Sequence, residues 1–325
     1  MKTEVISALG DVQIGAAALH AAEFLRRGDV VAVPTETVYG LACDAMDASA
    51  ATKVFAAKER PAFDPLIVHV AGEEWIEKLS CADGDVLEAA RKLAAAFWPG
   101  PLTMVLPSND TVPDIVRSGL PTVALRCSAH PVMAAVVAAL GHPVAAPSAN
   151  RFGRISPVTA QDVVEELGGR IPLVVDGGAC RHGLESTIVA VEAGRLVLLR
   201  PGPVTREQLE KFARVEHAER AVAIAAPGML ESHYAPRTPL TILSPGATLP
   251  ADAAESGLLA FGGGTAGFAA LENLPADPAE AAPVFFSALR RLDSSGVKRI
   301  YARTVAESGL GMAIMDRLRR AASHE

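Results

Sequence analysis

Four clusters of polar side chains stand where apolar segments of the chain stop. Pro34-Thr35-Glu36-Thr37-Val38-Tyr39-Gly40 follows the run Val30–Val33. Lys58-Glu59-Arg60-Pro61 closes a helix-spaced stretch and leads into Pro65-Leu66-Ile67-Val68-His69. Pro147-Ser148-Ala149-Asn150 follows Val144–Ala146, and Glu185-Ser186-Thr187-Ile188 is answered by Arg200-Pro201-Gly202. Lys58, Arg60 and Arg200 suit phosphate oxygens, an arginine gripping two at once. Ser148 and Asn150 offer short, directional hydrogen bonds. Displacement at a phosphate needs charge neutralisation and alignment more than covalent help, so this set could carry it without a catalytic triad.

Each member alone has an ordinary structural explanation. Lys58 ends a helix, where a cation favours the macrodipole. A lone His69 in an apolar strand is more often a core residue. Arg126, at a strand end, could be a surface ion pair, and Glu185 could pair with a cation such as Arg181. Ser148 and Asn150 could form an Asx-type turn. The functional reading rests on the ordered set.

The elements that must position these residues follow from periodicity. Helical spacing is expected over Gly15–Arg27, Ser49–Lys58 with Ser49 as N-cap, Asp85–Trp98, Pro131–Leu140 and Thr159–Leu167. Strands are expected over Val30–Val33, Leu66–Val70, Leu102–Leu106, Val123–Arg126, Val144–Ala146 and Leu173–Asp176, with Thr187–Val191 and Arg195–Arg200 as a pair. Residues 227–239 are dense in Pro, Gly and polar side chains, as linkers are. Beyond them come strands Leu240–Leu243, Gly257–Phe261 and Arg299–Ala302 and helices Ala279–Leu292 and Met312–Ala322. Short strands interleaved with helices define an α/β fold. The expected division is a first domain over 1–212, a linker over 213–239 and a smaller domain over 240–325. Strand ends of such sheets are where ligands sit.

Generic nucleotide motifs are missing. There is no Gly-x-x-x-x-Gly-Lys-Ser/Thr segment, and no Lys follows Gly262-Gly263-Gly264. Gly309-Leu310-Gly311 lacks the third glycine of a dinucleotide fingerprint and reads as a tight strand-to-helix turn. There is neither a Gly-x-Ser-x-Gly elbow nor a His-Glu-x-x-His pair.

Composition narrows the class. Half of the 325 residues are apolar, ample for a large core. Thirty Lys and Arg against 37 Asp and Glu give a net charge of −7, which argues against a protein built to coat nucleic acid. Aromatic residues are 5%, too few for a base-stacking surface. The four cysteines, Cys43, Cys81, Cys127 and Cys180, show no zinc spacing and fit a reducing compartment. Met1–His20 lacks a signal-peptide pattern, and no stretch is long enough to span a bilayer. The expectation is a soluble cytoplasmic protein.

Taken in order, the clusters resemble the YrdC-like family of threonylcarbamoyl-AMP synthases. Lys58-x-Arg60 with Ser148-x-Asn150 is similar to that family's signature. Phe97-Trp98-Pro99-Gly100-Pro101-Leu102-Thr103 and Arg200-Pro201-Gly202 match as well. Ser232-His233-Tyr234-Ala235-Pro236 resembles the linker of the longer, two-domain branch, and Gly309-Leu310-Gly311-Met312-Ala313-Ile314-Met315 its last helix start. Asp316 stands where that branch is expected to have Asn.

The resemblance implies a twisted mixed sheet with helices, followed by a Rossmann-like domain. It implies that threonine, bicarbonate and ATP yield threonylcarbamoyl-AMP and pyrophosphate, the adenylate then serving tRNA modification beside the anticodon. Magnesium is expected with ATP. The product would pass to a downstream threonylcarbamoyl transferase, with tRNA met only indirectly and no membrane partner. Lys58 and Arg60 are the expected catalytic residues. ATP would meet these two with Thr122, Ser148, Asn150, Ser156, Arg200, Ser232, His233 and Tyr234, the last three folding over the nucleotide to exclude water. Ser156 could instead cap the helix that begins at Thr159. Threonine would meet Thr35, His69, Arg126, Ala146 and Ser186, with Arg126 as carboxylate partner. Hydrogenase-maturation carbamoyl transferases carry a related module but also Cys-x-x-Cys pairs, which this chain lacks. A non-catalytic RNA-binding module is the other rival, disfavoured by the acidic balance.

Overall fold

The structure, a computed structural model, describes residues 2–218, 233–263 and 266–322. An eleven-stranded mixed sheet forms the first unit. In spatial order its strands are Glu4–Ser7, Leu173–Asp176, Val31–Val33, Gly40–Asp44, Val144–Ala145, Ile67–His69, Thr122–Arg126, Leu102–Pro107, Thr187–Glu192, Arg195–Arg200 and Arg214–His217. Central strands such as Val31–Val33 and Ile67–His69 are buried along their whole length, as continuous apolar runs demand. Helix Asp11–Arg26 packs on helix Pro131–Leu140. Ala17, Ala18, Ala21 and Ala22 allow that approach and lie in a shared core with Val132, Val136 and Leu140.

The sequence-derived elements recur with shifted ends. Asp47, not Ser49, caps the helix Ala48–Lys58: its carboxylate accepts from the amides of Ser49 and Ala50 at 2.8 and 3.2 Å. The helix Ala160–Leu167 is capped by Thr159 in a capping box with Asp162, so Ser156 is released from that role. Strands Glu4–Ser7, Gly40–Asp44 and Ala270–Leu274 were not legible from periodicity. Arg214–His217 joins the first sheet parallel to Arg195–Arg200, so the stretch expected as linker begins with a strand.

The second unit is a four-stranded parallel sheet in the order Leu240–Ile242, Ile300–Ala302, Gly257–Phe261, Ala270–Leu274. Helices Pro278–Ser294 and Leu310–Ala322 accompany it. Gly311 opens the last helix where a Cβ would stand 1.8 Å from the Ala306 carbonyl oxygen, which accounts for the glycine of that turn. Phe285, Phe286, Leu289, Ile314 and Leu318 are buried in one apolar cluster continuous with the core of the first unit. Gly183, at φ 64°, lies against helix Pro278–Ser294: a Cβ there would meet the Pro283 carbonyl at 2.5 Å. The two units are therefore packed backbone to backbone at this point.

Candidate active site

Strand ends of the first sheet converge on one cavity, which His233 and Tyr234 cover. Its walls include Thr35, Arg60, His69, Arg126, Ala146, Ser148, Ser186, Arg200, His233 and Tyr234, ten of the residues expected to bind substrate. Thr37, Val38, Gly40, Ile67, Pro147 and Glu185 complete the lining. The cavity measures about 40 Å³, room for a few water molecules.

Each side chain is aimed by a local device. Lys58 ends its helix, and Glu59 in a left-handed conformation (φ 55°, ψ 35°) turns the chain so that Arg60 meets the cavity. Arg60 is anchored by the Asp64 carboxylate at 2.9 Å and by the carbonyls of Asp64 and Pro65 at 3.1 and 2.8 Å. Lys58 is not in the cavity wall. Its ammonium donates to the carbonyls of Ser148 and of Asn150, the latter at 2.6 Å, and so fixes the loop that presents Ser148. Burial, reinforced by Arg60, pushes the Lys58 pKa well below the ordinary lysine value.

Asn150 lies behind the wall, its amide donating to the carbonyls of Arg151 and Arg154, both at 2.8 Å. Its Oδ1 is buried without a hydrogen-bond partner among the described residues. Ser156 is also behind the wall, donating to Glu185. Thr122 opens the strand that ends at Arg126 and is not part of the lining. Ser232 lies outside the described residues.

At one end of the cavity, Arg126 holds the Glu36 carboxylate at 2.8 Å and donates to the Thr37 hydroxyl at 2.9 Å. Burial opposes the Glu36 charge, but Arg126 and the Ser128 hydroxyl outweigh it and hold this carboxyl at about 2. The Thr35 hydroxyl donates to the Val38 carbonyl at 2.7 Å and accepts from the Thr37 and Val38 amides, so it shapes the turn. His69 is fully desolvated, and burial with nearby Arg126 lowers its pKa to about 3. Its Nδ1 has no hydrogen-bond partner among the described residues, unlike a satisfied core histidine.

At the other end, Arg200 donates to the Ser186 carbonyl at 3.0 Å and hydroxyl at 3.1 Å, while that hydroxyl also meets Thr103 at 2.8 Å. Gly202 lets the two backbones lie this close: a Cβ there would be 2.5 Å from the Thr187 nitrogen. Glu185 does not pair with Arg181 as the sequence suggested; Arg317 of the last helix reaches it at 3.0 Å. His233 and Tyr234 seal this side. The His233 amide donates to the Arg320 carbonyl at 3.2 Å, and the Ala235 amide to that of Gly153 at 2.7 Å.

The electrostatics are lopsided. Lys58, Arg60, Arg126, Arg200 and Arg317 are buried around the cavity against Glu36, Asp64 and Glu185. Buried cations in excess of buried carboxylates are costly, and a polyanionic ligand would relieve them.

An α/β fold with a cation-rich cavity at its strand ends defines an anion-binding enzyme class, and comparison narrows it. A family model for Sua5, YciO and YrdC, described as "Telomere recombination", matches residues 23–202. A second, described as "Threonylcarbamoyl-AMP synthase, C-terminal domain", matches residues 204–323. The chain belongs to this Sua5/YrdC family. It is 39% identical to the threonylcarbamoyl-AMP synthase of Pyrococcus abyssi, over 94% of this chain and 93% of that protein. It is 38% identical to that of Bacillus subtilis, over 93% and 92%. The crystal structure of P. abyssi Sua5 complexed with L-threonine superposes with a TM-score of 0.88 at 37% identity, covering 99% of this chain and 98% of that one. A P. abyssi Sua5 variant with an adjacent His and Tyr replaced by Ala superposes with a TM-score of 0.89 at 36% identity, covering 99% and 97%.

Proposed function

We propose that this chain is an L-threonylcarbamoyladenylate synthase. Threonine and bicarbonate condense, with loss of water, to N-carboxy-threonine. A carbamate oxygen then forms a bond to the α-phosphorus of ATP, the bond to the β-phosphate bridge breaks, and pyrophosphate leaves. The adenylate serves threonylcarbamoyladenosine formation in tRNA through a downstream transferase. The observation that carries this reading is the excess of buried cations around a cavity whose other polar groups are hydroxyls, two histidines kept neutral by burial and the Glu185 carboxylate. That set suits a nucleotide phosphate chain beside a small amino acid, and full-length relatives bear the name of this enzyme.

Arg60 and Arg200 take phosphate oxygens, with Lys58 adding its charge from behind the Ser148–Asn150 loop. Ser148 completes the ATP set at the wall, with Asn150 and Ser156 behind it, and His233 and Tyr234 cover it. Arg126 pairs with the threonine carboxylate. Thr35, His69, Ser186 and the Ala146 backbone surround the rest of the amino acid, as the L-threonine complex of the P. abyssi protein encourages. His69 stays neutral and, as a weak base, serves as a hydrogen-bond partner for the amino acid through its Nδ1, which is unpaired among the described residues. The His233–Tyr234 segment, which lies over the cavity, would exclude water from carbamate and anhydride.

Magnesium would be carried by the phosphates, because Asp64 and Glu185 are committed to Arg60 and Arg317. The enzyme would work in the cytoplasm, consistent with its free cysteines. No helix among the described residues is long and apolar enough to cross a membrane.

The test incubates purified protein with threonine, bicarbonate, ATP and magnesium, following pyrophosphate and detecting the adenylate by mass. Release that requires all three substrates and is lost in Lys58→Ala supports the assignment. A folded protein that makes no adenylate refutes it.

A further inference from the structure

Arg317 is wholly buried, yet it belongs to the helix Leu310–Ala322 of the second unit. Its Nε donates to Glu185 at 3.0 Å across 132 residues of chain, and its Nη1 donates to the Pro201 carbonyl at 2.7 Å. Glu185 is bonded to Ser186, and Pro201 to Arg200, and both neighbours line the cavity. The guanidinium carbon also lies 5.3 Å from the centre of the Tyr234 ring. One side chain thus touches three segments that each put a group in the cavity wall.

Domain adhesion does not call for this charge. The interface already has Phe286 with its ring centre 5.8 Å from that of Tyr234, and an apolar cluster continuous across both units. Replacing a buried ion pair by apolar groups is often neutral or stabilising, so such a pair is weak evidence for stability. What a buried guanidinium provides is direction, through a rigid planar fork.

Tyr234 needs that direction. It is held at φ 65°, a left-handed conformation disfavoured for an aromatic residue, and its hydroxyl is buried without a hydrogen-bond partner among the described residues. A residue under such strain stays in place only where its surroundings over-determine it.

We infer that Arg317 is a positioning residue of the synthase. It registers Ser186 and Arg200 and holds Tyr234 in the closed position, so that the second unit completes the nucleotide side of the site. It does not itself touch substrate. Asp316, at 2.8 Å from Nη1 and 3.0 Å from Arg320, braces it from the same helix. The inference rests on the synthase reading above, and its test separates the two.

Wild type, Arg317→Met and Arg317→Lys are compared in the full chain. Measurements are urea midpoint, ATP affinity by calorimetry, and KM and kcat for ATP and threonine separately. The expected result is a folded Arg317→Met protein whose kcat/KM for ATP falls about 10–100-fold, as loss of an oriented charged contact would give, while KM for threonine changes less than about twofold. Arg317→Lys restores the urea midpoint but not ATP kinetics, since an ammonium lacks the fork. Unchanged ATP kinetics per folded molecule in either variant overturns the inference, as does activity that tracks the urea midpoint alone. Should Arg317→Met not fold, the Lys variant decides by the same criteria. Should wild type bind ATP but make no adenylate, the synthase reading fails while ATP affinity still decides on Arg317. Should wild type bind no ATP, both fall.

Discussion

The two ends of the cavity are built on one plan with one difference. At each, a buried glutamate precedes a hydroxyl residue: Glu36 before Thr37, and Glu185 before Ser186. Each glutamate accepts from a serine, Ser128 or Ser156, and pairs with an arginine, Arg126 or Arg317. Arg126 ends a strand of the first sheet and itself faces the ligand space. Arg317 arrives from another unit and stays behind the wall. In the first case the carboxylate aims an arginine into the cavity. In the second, the arginine aims the carboxylate's neighbours. On the proposed function, similar ion pairs would divide into binding and positioning roles according to which partner reaches the cavity.

The largest effect should follow removal of Arg126. Arg126→Ala strands Glu36 as a buried carboxylate and is expected to cost about 3–5 kcal/mol of stability, read from urea unfolding. Arg126→Met with Glu36→Gln should recover most of that stability but no threonine saturation. Recovery of saturation would show that Arg126 serves the fold alone. Arg126→Lys sharpens the point: the charge stays and the fork is lost, so KM for threonine should rise about tenfold or more, with KM for ATP unchanged.

Acid acts next on the Arg126 end, which holds both Glu36 and His69. Glu36 has a lowered pKa in the folded state, so its contribution is full above about 4.5 and is lost as pH falls toward about 2. His69 is held neutral, so unfolding takes up a proton as pH falls from about 6.5 toward about 3. Both push the same way, and each adds a slope of up to about 1.4 kcal/mol per pH unit in its own window. His69→Asn should lessen the slope of stability between about pH 6.5 and 3, and Glu36→Gln between about 4.5 and 2, both by chemical denaturation. A His69 variant with the wild-type slope would mean that this ring is solvated in the native protein.

How much of this could be read from sequence follows the same division. Thr35, His69, Arg126, Ser148, Ser186 and Arg200 were legible because each sits at the end of an apolar run, and strand ends of a sheet converge. Lys58 was legible as a residue but not in its place behind Ser148, a contact that spans 90 residues. Thr37 lay inside a quoted cluster, yet its link to Arg126 spans 89 residues. Arg317 stood in the sequence only as one residue of the expected helix Met312–Ala322. Its partner is fixed by the packing of two units, which no local pattern encodes. Similarly, Gly40–Asp44 hid as a strand because the cluster before it reads as a turn, and pairing with Val31–Val33 settles it.

The smallest effects offer the cleanest comparison, because they leave both ion pairs intact. Ser128→Ala removes one hydrogen bond from Glu36, and Ser156→Ala removes one from Glu185. A hydrogen bond to a charged group is worth about 1.5–3 kcal/mol, but each glutamate keeps its arginine, so kinetic effects of about three- to tenfold are expected. If the ends divide as argued, Ser128→Ala raises KM for threonine and spares ATP, while Ser156→Ala lowers kcat/KM for ATP and spares threonine. Steady-state kinetics with each substrate varied in turn will read the pattern. Equal effects of both variants on both substrates would mean that the cavity responds as one unit, and that assigning its two ends to two ligands is mistaken.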